Sequence, residues 1–123
     1  MADHGKIEWT ELATRRPEEA VAFYHDMLGY EPQVMNMGEG DYHVMQAGGA
    51  MRFGIYEETD ARLTNRFIPY MGTDDVDERV KAVEAAGGKV LRAPWDVPGI
   101  GRMALVEDCC GTVSGWMVPS REG

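Results

Sequence analysis

Apolar residues along this chain gather into short strand-like runs and one-sided helical stretches, and the order in which they do so occurs twice. The segment KIEWTELA (6–13) has an apolar, β-forming bias and stops before Arg16-Pro17, where proline suits the first turn of a helix because its missing N–H would have no partner there. A helix from Pro17 to about Leu28 follows. It gathers Ala20, Val21, Phe23, Tyr24, Met27 and Leu28 largely along one face, carries Glu18 and Glu19 in its first turn, and meets Gly29 where it should end. EPQVMNM, DYHVMQA and AMRFGIYEE then read as three strands separated by the turns Gly38-Glu39-Gly40 and Gly48-Gly49. The second half has the same grammar. RFIPYMGT is a strand, Asp75 and Glu78 form a capping box for a helix through Ala86, Gly87-Gly88 stops it, and KVLRAPWDV, GRMALVED and TVSGWMVP supply three more strands. Arg16, the counterpart of Asp75, is a poor N-cap, which costs the first helix about 1 kcal/mol unless Thr14 substitutes.

The repetition is visible residue by residue. Residues 12–30 lie over 71–89 at a shift of 59, placing Thr14 on Thr73, Val21 on Val80 and Gly29 on Gly88, and residues 42–56 lie over 103–117 at a shift of 61, placing Gly54 on Gly115. The fold class this predicts is α+β, a single domain over residues 1–123 made of two tandem βαβββ modules at about 6–59 and 66–119. At 123 residues and 44% hydrophobic, the chain has material for one sizeable core and not for two independent domains. Two such modules are expected to enclose a concave groove, the natural place for chemistry.

Charge and cysteine content narrow the partners. The net charge of −9 and the scatter of the 12 basic residues leave no electrostatic footprint for nucleic acid or an anionic membrane, so neither is expected as a partner. No apolar stretch approaches the roughly 20 residues that span a bilayer. The segment MADHGKIEW lacks the apolar centre of a signal peptide, which makes a cytoplasmic location the expectation. Cys109 and Cys110 are adjacent, which excludes a disulfide framework and a spaced metal site and suits a reducing compartment.

The strings ELATRRPEEAVAFYHDMLGY and IPYMGTDDVDERVKAVEAAGGKVLRAPWDVPGIGRMALVEDCCGTVSGWMVP carry the FYHDMLGY helix end, the DDVD to AAGGKV helix and the DVPGIGR loop in that order. Over about residues 6–118 they resemble the vicinal oxygen chelate superfamily, also called the glyoxalase/bleomycin resistance protein/dioxygenase superfamily. The resemblance implies modules that form a curved sheet or partial barrel around an active site, within one chain or between two. Members include isomerases, dioxygenases, thiol transferases and drug-sequestering proteins on one scaffold. In metal-dependent relatives the first and last strands of each module each donate one ligand, typically His, Gln or Glu. Carried onto this sequence, those positions are Trp9 and Ile68 on the first strands and Gly54 and Gly115 on the last. None of the four has a side chain able to coordinate a divalent ion, so no metal or other cofactor is expected at them. A metal held by residues elsewhere stays open.

Strand alternation sorts the remaining candidates. If Trp9, Ile68 and Gly54 face the groove, so do Glu11, Tyr70, Arg52 and Tyr56, while Met51, Phe53 and Ile55 make an apolar set suited to the helix side. By the same parity Val113, Gly115 and Met117 line the groove, with Trp116 under a helix. Trp9, Glu11, Arg52, Tyr56, Tyr70 and Arg102 are the ligand-binding candidates, and Glu11 and His43 the acid/base candidates. Each has a plainer reading. Glu11 reads equally as a structural ion pair with Arg52 or Arg102, His43 as a hydrogen-bonded strand histidine, and Trp9 as a core aromatic. The loop 93–101 is expected to border the groove. The Cys109-Cys110 pair stands where relatives carry an Asp-Pro-x-Gly turn and, with Glu107 and Asp108 beside it, reads as an inert turn. The functional expectation is a protein that binds a small hydrophobic or aromatic molecule without metal, paired as a homodimer because sheet edges need covering. A lyase, isomerase or dioxygenase-like enzyme is the alternative.

Overall fold

The structure, a computed structural model, describes residues 4–36 and 40–120, so Met37 at the end of the predicted strand EPQVMNM and Gly38 and Glu39 of the turn after it lie outside the described residues. Its elements are β1 (Ile7–Thr14), α1 (Pro17–Leu28), β2 (Glu31–Asn36), β3 (Asp41–Ala47), β4 (Ala50–Glu57), β5 (Arg66–Gly72), α2 (Val76–Val80), β6 (Lys89–Val97), β7 (Gly101–Glu107) and β8 (Val113–Pro119). The order is βαβββ twice, and the class is α+β. The chain divides into two compact units, Trp9–Ile68 in one and Met1–Glu8 with Pro69–Gly123 in the other. No helix among the described residues is long and apolar enough to cross a membrane.

The first unit has the strand order β2-β3-β4-β1. Strands β2, β3 and β4 form an antiparallel meander, whereas β1 runs parallel to β4, a pairing that needs the long connection supplied here by α1, β2 and β3. Leu12, Met45, Phe53 and Ile55 form the buried side of the sheet against which Ala20, Val21 and Tyr24 of α1 pack. The Phe53 ring is met edge-on by Tyr24, Tyr30 and Phe67, an arrangement that adds about 0.5–1.5 kcal/mol per pair to simple burial. Only part of the apolar face of α1 is covered. Phe23, Met27 and Leu28 are not packed on the sheet but remain 56%, 62% and 67% exposed. Six apolar residues in twelve positions wrap too far round the helix for one sheet to cover. Gly29 closes α1 in the left-handed conformation at φ 79°, its N–H donating to the His25 carbonyl. Arg16 gives no side-chain cap, and Thr14 does not replace it, because its hydroxyl accepts from the N–H of Arg16 ahead of the helix.

The second unit has the order β5-β8-β7-β6, with β5 parallel to β8. Asp75 caps α2 as the sequence implies, accepting from the Glu78 N–H at 3.1 Å, but the Glu78 side chain reaches Lys81 at 2.7 Å. The regular helix also ends sooner than Ala86. From Val80 to Gly88 the chain continues in tight turns, with Ala82, Val83 and Ala86 N–H groups reaching carbonyls three residues back. Tightening to three residues per turn stacks Val80 over Val83, and both lie with Val76, Ala104 and Val106 in a buried cluster covered by Trp116. Packing of that stripe outweighs the weak helix preference of valine.

The two parallel pairs show how faithfully the units repeat. In the first, Glu11 stands opposite Gly54. In the second, Tyr70 stands opposite Gly115. These are the same two backbone positions under the shifts of 59 and 61.

Candidate functional site

The register assigns a face to each side chain of the first unit. Leu12 pairs with Ile55, and His43 with Ile55 in turn, so His43 stands on the sheet face that carries Met45, Phe53 and α1. Glu11 pairs with Gly54, Ala13 with Tyr56 and Val44 with Gly54. Alternation therefore sends Trp9, Glu11, Tyr42, Gly54 and Tyr56 to the opposite face.

On that face three buried polar groups are linked in sequence. The Trp9 indole Nε1–H donates to the Tyr42 hydroxyl at 2.7 Å, and that hydroxyl donates to Oε2 of Glu11 at 2.8 Å. The residues are 8%, 5% and 2% exposed. Each link has a reason. Indole can only donate, a phenol both accepts and donates, and a carboxylate only accepts, so the chain has one possible direction. Burial, and then the nearby Glu11 carboxylate, push the Tyr42 phenol well above its ordinary range, so it stays protonated and donating. A buried carboxylate supplied with a phenolic proton can accept a proton or anchor a polar ligand atom.

Tyr42 was not among the residues singled out from sequence. The available signal was Gly54 itself. A side chain at Gly54 would collide with the Tyr42 hydroxyl and ring, so the absent Cβ is what lets Tyr42 lie flat across β4. The same device recurs in the second unit, where a Cβ on Gly115 would run into the Tyr70 ring. Both Tyr70 and Ile68 are fully buried.

The other candidates are placed as follows. Tyr56 is half-buried and donates to Glu58 at 3.0 Å. Arg52 is exposed at the hairpin end, where its Nε–H donates to the Ala47 carbonyl at 2.9 Å. His43 is 6% exposed with Nδ1 lacking a partner. Arg102 shares the parity of Ala104, on the α2 side. Its guanidinium forks onto Asp77 at 2.7 and 2.9 Å and reaches Asp96 at 3.2 Å, and these contacts hold its own pKa up and that of Asp77 down. The loop expected to border a groove lines, through Pro98, Gly99 and Gly101, an open cleft of about 590 Å³ in the second unit. Of its carboxylates, Asp74, Asp77 and Asp96 are engaged by Arg79 and Arg102, and Asp75 accepts the N–H of Glu78 as the cap of α2.

The donor set fails the requirement for a divalent ion at the positions used by metal-dependent relatives. Trp9 is committed as a hydrogen-bond donor, Ile68 is aliphatic, and tyrosine rings fill the space beside Gly54 and Gly115. Among the described residues no group of three or more His, Cys, Asp or Glu comes together.

With this geometry established, comparison with known proteins gives consistent results. The family described as Glyoxalase/Bleomycin resistance protein/Dioxygenase superfamily matches residues 6–114. "Putative glyoxylase CFP32" of Mycobacterium tuberculosis is 33% identical over 117 residues, covering 94% of this chain and 45% of its own length. "Anthracycline biosynthesis protein DnrV" of Streptomyces peucetius is 29% identical over 122 residues, covering 87% of this chain and 44% of its own. The chain thus spans about half the length of these relatives. Among solved structures, Streptomyces coelicolor methylmalonyl-CoA epimerase in complex with 2-nitronate-propionyl-CoA superposes with a TM-score of 0.66 at 18% identity, over 95% of this chain and 99% of that one. The Mn(II)-bound glyoxalase from Novosphingobium aromaticivorans gives 0.60 at 20% identity, over 98% of this chain and 42% of that one. These similarities show the fold.

Proposed function

Because this chain belongs to the Glyoxalase/Bleomycin resistance protein/Dioxygenase superfamily, we propose that it binds a small hydrophobic or aromatic molecule without a metal ion, on the face of the first unit that carries Trp9, Glu11, Tyr42 and Tyr56. The observation that carries this reading is the buried Trp9–Tyr42–Glu11 chain, which replaces a metal ligand set with aromatic surface and one carboxylate. Trp9 offers a stacking surface and Glu11 a polar anchor, the combination that orients a ligand in an apolar site. The name of the relative tied to anthracycline biosynthesis accords with a fused-ring aromatic ligand. The test is metal analysis of purified protein together with thermal-shift screening of divalent ions and planar aromatic compounds. Stabilisation by an aromatic compound in chelator-treated protein is expected. Stoichiometric bound metal would overturn the reading.

Burial of Glu11 favours a second reading, cofactor-free proton transfer with Glu11 as base and Tyr42 keeping it oriented. Under it, Glu11→Gln abolishes turnover of a ligand that still binds. A homodimer is also proposed, with the exposed Phe23, Met27 and Leu28 of α1 covered by a second copy. Relatives twice as long accord with such pairing. Light scattering should give twice the chain mass, and Phe23→Glu with Met27→Glu should return the monomer. The exposed free thiols of Cys109 and Cys110 suit a reducing, cytoplasmic setting.

A further inference from the structure

The register of β6 turns two residues three positions apart to the same side. In a regular strand Arg92 and Trp95 would point to opposite faces. Here Val90 pairs with Val106, Arg92 with Leu105 and Trp95 with Met103, so β6 carries one extra residue before Arg92 and another before Trp95. Leu105 and Met103 stand opposite Gly115 and Met117 of β8, and Gly115 stands opposite Tyr70. Arg92 and Trp95 therefore share the face of Tyr70, away from the side on which Val90 packs with Val76, Val80 and Val83. Arg102, chosen from sequence for that face, is held by Asp77 and Asp96 on the α2 side, and Arg92 reaches the face instead.

The two side chains meet. The guanidinium carbon of Arg92 lies 3.9 Å from the centroid of the Trp95 ring, and both residues are half-buried. Beside them on the same face Met103, Leu105 and Met117 are fully buried. A guanidinium stacked on an aromatic ring keeps its in-plane N–H fork for a carboxylate, and its five donors exceed what one partner takes. Apolar neighbours thin the water around it, which strengthens its attraction for an anion. Lys89 and Glu107, the other charged residues on this face of β6 and β7, stand opposite each other and cancel in charge. Trp95 adds a planar surface of its own. A bulged edge strand also resists pairing with other chains, but that role asks only for a charge, which lysine would supply as well.

We propose that Arg92 and Trp95 form a binding site for planar aromatic carboxylates on the second unit, an assignment that does not depend on the ligand face of the first. The carboxylate takes the guanidinium fork, and the ring attached to it lies along the indole. Selectivity then rests on the negative charge and the planarity of the ligand together.

Titration of 2-naphthoate into the isotope-labelled full chain tests the site, with 2-naphthamide as the uncharged counterpart. The reporters are the indole N–H signals of Trp9, Trp95 and Trp116, each assigned by its Trp→Phe variant. The carboxylate should shift the Trp95 signal saturably and bind about tenfold or more tightly than the amide, the difference a charge-assisted pair makes. Arg92→Lys keeps the edge charge but loses the fork, so it should erase most of that preference while binding the amide as wild type does. Unchanged amide binding also shows that this variant is folded. Trp95→Phe should weaken both compounds, and its thermal melt checks its fold. Equal affinity of 2-naphthoate for wild type and Arg92→Lys would overturn the proposal, as would equal affinity for the two compounds. So would a shift confined to Trp9, an outcome that supports the ligand face of the first unit and removes this one.

Discussion

Removing one oxygen atom probes the buried chain of the first unit. Tyr42→Phe keeps the ring over Gly54 and deletes only the hydroxyl that joins Trp9 to Glu11. The Trp9 indole loses its acceptor and Glu11 loses one donor. A hydrogen bond between neutral groups is worth about 1 kcal/mol and one to a charged group about 1.5–3 kcal/mol, and a buried partner left unpaired forfeits its hydration as well. All three residues are at least nine-tenths buried, so water replaces little of the loss. The expected destabilisation is about 3 kcal/mol, which in a domain of this size lowers Tm by about 10 °C. Urea denaturation of wild type, Tyr42→Phe, Glu11→Gln and the double variant measures both the loss and the coupling. Residues in one network should couple by at least about 1 kcal/mol, the double variant losing less than the sum of the singles. A Tyr42→Phe protein within about 0.5 kcal/mol of wild type, the usual range of a surface change, would refute the assignment of the hydroxyl as the central link.

The same hydroxyl sets an alkaline limit. Burial and Glu11 raise the folded-state pKa of Tyr42, so its contribution is complete below the unfolded value of about 10 and is lost as pH rises toward the folded one, at about 1.4 kcal/mol per pH unit. Stability of wild type minus that of Tyr42→Phe, measured from pH 8 to 11.5, should fall only above about 10. At the acid end, Asp60, Asp74, Asp77 and Asp108 have folded pKa values below their ordinary ones through bonds from Arg62, Arg79, Arg102 and backbone N–H groups. Their contribution is present above about pH 4 and disappears as pH drops through the folded values, and 1 M NaCl should weaken the arginine-dependent part. Gly54→Ala should cost about 1–3 kcal/mol in wild type, since its Cβ displaces Tyr42. In a Tyr42→Ala background the same change should become neutral or stabilising by a few tenths, the ordinary effect of glycine removal from a strand. A loss of equal size in both backgrounds would show that Tyr42 is not the obstacle.

Most of the fold was legible because its signals are local. Strand limits, the α1 span, Gly29 and the Asp75 cap each depend on a few neighbouring residues, and all are observed. What failed depended on tertiary context. The outer side of α1 looks apolar, yet the sheet covers only the stripe through Ala20, Val21 and Tyr24. The end of α2 is decided by packing of Val80 and Val83 rather than by the stop signal at Gly87. For the site, parity placed Trp9, Glu11, Gly54 and Tyr56 on one face. Tyr42 escaped because its role requires the β3–β4 register, which puts Val44, not Tyr42, opposite Gly54 and leaves the tyrosine ring to reach across diagonally.

That diagonal reach explains why the two glycines belong with the tyrosines as units. In the first unit the covering ring comes from β3 and ends in a hydroxyl that ties Trp9 to Glu11. In the second it comes from β5, directly in register with Gly115. Different strands therefore fill the equivalent place, and each filling works only while the last-strand residue lacks a side chain. A histidine or glutamate at Gly54 would have no room beside Tyr42, and removing Tyr42 to make room would take the acceptor from the buried Trp9 indole and one donor from the buried Glu11 carboxylate. Ligand position and hydrogen-bonded chain are mutually exclusive uses of the same volume, and this sequence commits that volume to the chain.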